Sequence, residues 1–247
     1  MIPALHDKTA IVTGAATRIG KAIALALGRA GASVVVNHLD APDSAEDLAR
    51  EIAWSPAGAI SVAGHVSVRT EFDAVVAATI ERFGRWDVLV NNAGFPLVKP
   101  FGEVTENDFD KSFSVNVKGA FNGCQLALER MSPGGRVIKI SSSTTSLMFP
   151  GYGVYDATKG AIEAMTHVIS KEFAPRKITV NTVSPGATET ETYRQGKSAE
   201  FVSGLEAMSA FGRLGQPAEI ATVVVFLASD DARWVTGQNL RVNGGTV

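Results

Sequence analysis

Residues 9–20 read Thr9-Ala10-Ile11-Val12-Thr13-Gly14-Ala15-Ala16-Thr17-Arg18-Ile19-Gly20, and Lys21-Ala22-Ile23-Ala24-Leu25-Ala26-Leu27-Gly28-Arg29 follow. Positions 9–13 are a short apolar run rich in β-branched residues and closed by glycine, the pattern of a strand covered on both faces. From 19 to 29 the apolar residues recur at helical spacing. Glycines at such a strand-to-helix turn let the backbone approach a pyrophosphate, which the helix N-terminus stabilises with its N–H groups and dipole. The same turn also serves as a plain link between a strand and a helix. A nucleoside-triphosphate P-loop is excluded. Five residues rather than four separate Gly14 from Gly20, and Ala22 replaces the hydroxyl residue that would hold magnesium.

The rhythm set by this unit repeats along the chain. Strands are expected at 9–13, 33–37, 59–63, 88–91, 136–140, 178–183 and 239–242, and helices at 19–29, 45–52, 71–83, 109–131, 154–173 and 219–227. Alternation of this kind produces βαβ units and a parallel sheet. No break in composition divides the 247 residues, so a single α/β domain over 1–247 is expected. Two stretches depart from the rhythm. Residues 141–146 are hydroxyl-rich, and 185–217 form a long polar connection. Both follow strands, at the edge where open α/β sheets bind ligands, and the segment 187–216 reads as a substrate lid.

Composition narrows the function classes. An apolar fraction of 45% with 19% charged residues excludes a disordered chain. The formal charge of −2, with no basic run, argues against a nucleic-acid partner. Cys124 is the lone cysteine, and His6, His38, His65 and His167 are scattered without metal-ligand spacing. Asp7 and Lys8 interrupt any leader-like run, and the longest apolar run, 223–228, is far below a membrane span of about 20 residues. A soluble, cytoplasmic protein with no membrane partner and no metal is expected.

Tyr155-Asp156-Ala157-Thr158-Lys159 opens an expected helix. Residues four apart share a helix face, so the Lys159 ammonium can lie near the Tyr155 phenol. A nearby cation lowers a phenol's pKa from about 10 and fits it for general acid–base work. Tyr152 has Asp156 at the same spacing, a carboxylate that raises its pKa instead. Ser142 follows the fifth strand, thirteen residues before Tyr155, Asn91-Asn92-Ala93-Gly94 follows the fourth, and Ser184-Pro185-Gly186 follows the sixth.

Taken in order, TGxxxxxG, NNAG, Ser142, YxxxK and PG resemble the short-chain dehydrogenase/reductase family, nearly end to end as far as Gly237-Gln238 and Asn243-Gly244-Gly245. The resemblance implies one Rossmann-type, doubly wound domain with a seven-stranded parallel sheet, usually a homotetramer. It also implies hydride transfer between a nicotinamide cofactor and a carbonyl or alcohol substrate. Within it Tyr155 is the general acid/base, Ser142 bonds the substrate oxygen, Lys159 lowers the tyrosine pKa and holds the nicotinamide ribose, and Asn116 holds a water linking Lys159 to solvent. The cofactor residues it implies are Gly14, Thr17, Arg18, Ile19 and Gly20 at the pyrophosphate turn, and His38, His65 and Val66 towards the adenosine. Asn91, Asn92, Ala93 and Gly94 follow, then Tyr155 and Lys159, and last Pro185, Gly186, Thr188 and Thr190 at the carboxamide.

Three positions depart from the family pattern. Arg18 replaces the middle glycine, where its guanidinium is placed to pair with a 2′-phosphate. His38 stands where NAD-preferring members carry an acid, and His65 replaces an acid near the adenine. The expectation is NADP(H) ahead of NAD(H), with Asp40 left to serve NAD if the loop bends inward. The substrate pocket is framed by 95–98, 143–152 and 187–215, with Leu147, Met148, Phe149 and Tyr152 as apolar walls, although these residues serve equally well as packing. The leading reading is an NADP-dependent carbonyl reductase. Alternatives are a 3-oxoacyl-[acyl-carrier-protein] reductase using Arg130, Lys171, Arg176 and Lys177 as a docking patch, an NAD-dependent alcohol dehydrogenase, and a non-catalytic dinucleotide-sensing scaffold.

Overall fold

A computed structural model describes residues 4–53, 58–191 and 193–247. Seven strands form one parallel sheet: β1 (Thr9–Val12), β2 (Ser33–His38), β3 (Ala59–Ala63), β4 (Val88–Asn91), β5 (Arg136–Ile140), β6 (Thr179–Pro185) and β7 (Asn239–Val242). The spatial order is β3-β2-β1-β4-β5-β6-β7. The chain reverses its direction of travel between β1 and β4, and a crevice opens at such a point beyond the strands' carboxyl ends.

The strands read as unbroken apolar runs because both faces are covered. Alternate side chains divide between two cores. Val12, Val34, Val36, Val90 and Ile138 face a cluster that includes Ile23 and Leu27 of α1 (Arg18–Arg29) and Ile220, Val224 and Leu227 of a helix at Pro217–Ala228. Ile11, Val35, Leu89 and Val137 face the opposite cluster with Phe72, Val75 and Val76 of a helix at Arg69–Phe83. Fully buried side chains such as Phe72 and Leu27 each contribute about 1.5–3 kcal/mol relative to exposure. Numbered in chain order, the helices are α1, α2 (Pro42–Ile52), α3 (Arg69–Phe83), α4 (Glu106–Phe113), α5 (Gly119–Arg130), α6 (Thr144–Leu147), α7 (Gly153–Phe173), α8 (Ala199–Met208) and α9 (Pro217–Ala228). Among the described residues, no helix is long and apolar enough to cross a membrane.

The structure revises three expectations. The single helix expected over 109–131 is α4 and α5 joined by a π turn at Ser114–Lys118. Asn116, at its centre, is tied sideways to another segment, and an apolar pattern does not register such a tie. The hydroxyl-rich stretch after β5 contains the short helix α6. The polar connection after β6 contains α8, whose N-cap Ser198 Oγ accepts from the Phe201 amide at 3.1 Å. A bridge between Thr188 and Gly215 closes the base of that connection. Thr192, within the expected lid, lies outside the described residues.

Candidate active site

The carboxyl ends of β1, β4, β5 and β6 surround a cavity of about 440 Å³. It gathers Gly14, Thr17, Arg18, Ile19, Gly20, Asn92, Ala93, Gly94, Ser142, Tyr155, Lys159, Pro185, Gly186, Thr188 and Thr190. A second cavity of about 190 Å³ is lined by His38, His65 and Val66 and shares Gly14, Ala93 and Gly94 with the first. Asn116 lines a small adjoining void with Lys159.

At Gly14 and Gly20 the turn after β1 has no room for a side chain. Gly14 sits at φ +60°, and a Cβ there would lie 3.0 Å from Ala93 Cα. A Cβ on Gly20 would lie 2.3 Å from the Gly14 carbonyl oxygen. Asn92 braces the turn by donating from Nδ2 to the Thr13 and Gly14 carbonyls at 2.9 and 3.0 Å. Arg18 holds φ +56°, the left-handed conformation that glycine adopts freely and other residues adopt at a cost of about 1–2 kcal/mol. Its side chain lines the larger cavity with Tyr193 and not the His38 cavity.

Asn91 does not face the main cavity as expected. It is buried with Nδ2 3.9 Å from Cys124 Sγ, because alternation along the strand end turns Asn92, and not Asn91, towards the site. His38 is also buried, and its Nδ1 has no hydrogen-bond partner. His65 Nδ1 accepts from the Ser67 amide at 3.2 Å, and its backbone N–H donates to Glu71 Oε2 at 2.8 Å.

At the other end of the site, Tyr155 and Lys159 lie on one face of α7, as their spacing requires. The electrostatics differ from the simple expectation. Lys159 Nζ lies over the Tyr155 ring, 5.5 Å from its centre, and donates to the Ile140 carbonyl at 2.8 Å. Burial pushes the Tyr155 phenol up, Asp156 and Tyr152 push it further, and the Ser142 hydroxyl pulls it down. The contrast drawn between Tyr152 and Tyr155 therefore does not rest on Asp156. Burial, then Asp156, raises both, and Tyr155 differs in having Ser142. Burial also pushes the Lys159 ammonium down to about 8, partly offset by Glu163. Glu163 Oε1 collects hydrogens from Ser141, Thr145 and Ser184 at 2.6, 3.2 and 3.2 Å.

Asn116 is held on both sides. Its Oδ1 accepts from the Phe95 amide at 2.6 Å, and its Nδ2 donates to the Phe95 carbonyl at 3.1 Å and to Thr158 Oγ1 at 2.9 Å. Thr158 Oγ1 in turn donates to the Tyr155 carbonyl at 2.6 Å. The side chain therefore fastens the start of α7 to the chain after β4.

The expected apolar walls are absent from the main cavity. Met148 is 76% exposed, and Leu147, Phe149 and Tyr152 do not line it. Met148, the left-handed residue that ends α6, is exposed, and Pro96 and Tyr193 line the cavity instead. Tyr193 lies within 187–215, the stretch expected to frame the pocket, where no local signal singles it out. Burial pushes its phenol up to about 12. The proposed basic docking patch is partly consumed within the chain. Arg130 pairs with Asp73 at 2.7 Å, and Arg176 donates to the Ala127, Leu128 and Met131 carbonyls.

These residues fit a dinucleotide. Two cavities share residues across the switch in strand order, a turn tightened at Gly14 and Gly20 borders them, and the buried His38 Nδ1 lacks a partner at one end. A family profile described as enoyl-(acyl carrier protein) reductase matches residues 14–247. An uncharacterised oxidoreductase of Methylorubrum extorquens is 45% identical over 243 residues, covering 98% of each chain. A short chain dehydrogenase of Claviceps purpurea is 37% identical over 254 residues, covering 98% of this chain and 96% of its own. Among solved structures, the angucycline C-6 ketoreductase LanV with bound NADP superposes with a TM-score of 0.92 at 40% identity, covering 98% of this chain and 96% of that one.

Proposed function

The chain belongs to the short-chain dehydrogenase/reductase family, and from that premise we propose that it is an NADP(H)-dependent ketoreductase acting on a ketone or the matching secondary alcohol. One observation carries the proposal. Ser142, Tyr155 and Lys159 line the same 440 Å³ cavity as the tight turn at Gly14 and Gly20. The NADP bound to LanV and the absence of an acid at the end of β2 favour NADP over NAD. His38, which lines the smaller cavity and leaves its buried Nδ1 without a hydrogen-bond partner, is the residue we assign to the 2′-phosphate.

NADP(H), when bound, supplies the hydride in reduction and accepts it in oxidation. The chain's own residues do the rest. Tyr155 gives its phenolic proton to the substrate oxygen in reduction and takes it back in oxidation. Ser142 donates a hydrogen bond to that oxygen and stabilises the charge it develops. Lys159, charged below about pH 8, supports the phenolate and the nicotinamide ribose. Asn116 keeps the start of α7 in register with the chain after β4. The backbone at Pro185 and Gly186, with Thr188 and Thr190, lines the same cavity and would hold the carboxamide.

A homotetramer in the cytoplasm completes the proposal. Phe109, Phe121 and Val168 leave apolar surface exposed on α4, α5 and α7, and surface of this kind marks contact regions. The 3-oxoacyl-carrier reading loses support with the internal pairing of Arg130 and Arg176. The deciding experiment is a panel of ketones, diketones and 3-oxoacyl thioesters assayed with NADPH and NADH. Turnover of ketones with NADPH ahead of NADH is expected. NADPH binding with no turnover over the panel would instead indicate a dinucleotide sensor.

A further inference from the structure

The helix face that carries Tyr155 and Lys159 continues along α7, at the same spacing of four, to Glu163. Glu163 does not line the main cavity. Its carboxylate fastens two strand ends to the helix. Glu163 Oε1 accepts from Ser141 Oγ at 2.6 Å, from Thr145 Oγ1 at 3.2 Å and from Ser184 Oγ at 3.2 Å. Each hydroxyl owns one hydrogen. Thr145 shares its hydrogen with the Ser142 carbonyl at 2.9 Å, and Ser184 shares its own with Asn239 Oδ1 at 2.6 Å. The bond from Ser141 is therefore the firmest of the three.

Ser141 and Thr145 stand on either side of Ser142 in the chain. Tying both to Glu163 fixes the turn that presents Ser142 to the cavity. The Ser142 hydroxyl takes no part in these bonds, so its hydrogen stays available to a substrate oxygen. The Ser141 hydroxyl also lies 3.5 Å from the Lys159 carbonyl. The loop of Ser142, the carboxylate and the helical turn of Lys159 thus meet at one place.

Among the described residues, none forms an ion pair with Glu163. The charged and titratable groups around it are Asp156, Lys159 and His167 on α7, Lys139 on β5 and Arg241 on β7. His167 Nδ1 bonds the Gly237 carbonyl at 2.8 Å, and Arg241, in register with Ser184, donates to Ser146 Oγ at 2.7 Å. Lys139 Nζ is buried without a hydrogen-bond partner. Lys159 is the cation one helical turn away. Burial pushes its ammonium down to about 8, and the Glu163 carboxylate acts against that push. Burial raises the Asp156 carboxyl, against the Thr144 hydrogen bond and with a smaller push from Glu163.

We propose that Glu163 is a positioning residue for the reaction, its carboxylate fixing the loop that presents Ser142 and serving as the counter-charge of Lys159. The proposal rests on the reading of Ser142, Tyr155 and Lys159 as the catalytic groups. Glu163 acts through two of them and lines no part of the cavity. Substitution separates its two actions. Glu163→Gln keeps an oxygen for the three hydroxyls and loses the charge, since all three bonds go to Oε1 and none to Oε2. Glu163→Leu loses the oxygen and the charge together.

The test uses the full chain with NADPH and a ketone it reduces, and follows kcat from pH 6 to pH 10. Wild type is compared with Glu163→Gln, Glu163→Leu and Glu172→Gln, with thermal melts and NADPH titrations to check folding and cofactor binding. Glu172→Gln makes the same charge change on an exposed turn about 20 Å along α7 from Lys159. Glu163→Gln is expected to keep the wild-type kcat at pH 6 and to move the alkaline limb below the wild-type position of about 8, because an opposite charge nearby favours the ionised lysine. Glu172→Gln should leave the limb in place. Glu163→Leu should also lower kcat at pH 6 by about tenfold, less than the roughly 10²–10³-fold lost with a whole oxyanion donor, at unchanged NADPH affinity. A level wild-type profile, a Glu163→Gln limb at the wild-type position, a limb moved equally by Glu172→Gln, or wild-type kcat at pH 6 in Glu163→Leu would overturn the proposal. Should Glu163→Leu fail to fold, the limb of Glu163→Gln decides alone. Loss of turnover in Tyr155→Phe with an unmoved limb in Glu163→Gln defeats the role of Glu163 only, whereas full activity in Tyr155→Phe defeats the reading beneath it as well.

Discussion

Lys159 Nζ stands 5.5 Å from the centre of the Tyr155 ring while its hydrogen bond goes to the Ile140 carbonyl at 2.8 Å, so the backbone of β5, not the phenol, anchors the ammonium. Two buried groups that both resist charge are thus set side by side, the base pushed down and the acid pushed up. The sign for activity follows. A lysine with a depressed pKa carries its charge below about 8 and loses it above. The rate of ketone reduction is expected to decline as pH rises through about 8, and Lys159→Met should remove that limb together with most of the activity. A pH–rate profile of kcat level up to pH 10 would contradict this.

Tyr155→Phe removes only the phenolic oxygen and keeps the ring beneath Lys159. It should lower kcat by roughly 10²–10⁴-fold while NADPH still binds. Steady-state kinetics alongside a fluorescence titration separate the two effects, and retained turnover would exclude the phenol as the acid.

His38→Asp places a carboxylate where the buried Nδ1 now lacks a partner. Two like charges about 4 Å apart repel by about 1 kcal/mol in water and by more where water is excluded. Since 1.4 kcal/mol is tenfold, kcat/KM for NADPH relative to NADH should fall roughly tenfold or more. An unchanged ratio would place the 2′ group elsewhere, with Arg18→Ala as the next variant to assay.

Gly20→Ala forces a methyl group to within 2.3 Å of the Gly14 carbonyl oxygen unless the turn moves. Overpacking of this kind costs about 1–3 kcal/mol, and here the displaced atoms are those expected to face the pyrophosphate. A drop in Tm and a larger loss of NADPH affinity are expected, measured by melting with and without cofactor. A variant stabilised by NADPH as much as the wild type would argue against this turn as the binding element.

Phe121 is 45% exposed on α5 and Val168 is 59% exposed on α7. If these faces meet in a tetramer, Phe121→Glu should shift the mass measured by light scattering from tetramer towards smaller species. A wild-type chain that elutes as a monomer would remove this part of the proposal.

The sheet was legible because each strand's apolar run and each helix's period carry their own signal. The boundaries of β3, β4, β5 and β7 match those expected. What escaped is fixed by contacts between distant segments. Asn116 sits in an apolar helical pattern, and nothing local shows that Phe95 and Thr158 bind it from two sides. Leu147, Met148 and Phe149 look like cavity walls, but none lines the cavity, and Met148, which ends α6 at φ +53°, is exposed. The spacing of Tyr155 and Lys159 placed both on one face, as found. Spacing carries no information about burial, which reverses the simple pKa argument.

The π turn at Ser114–Lys118 gives the rod formed by α4 and α5 one more residue than a regular coil would hold. Shortening the loop by one residue would make the rod smooth, but each residue removed swings everything beyond it by about 100°. Either Asn116 would leave Phe95 and Thr158, or Leu126 and Ala127 would be rolled out of the apolar interior they now occupy. Reactive end and packed end are thereby phased against each other by a single surplus residue, and a one-residue deletion here should do more harm than most substitutions in the same rod.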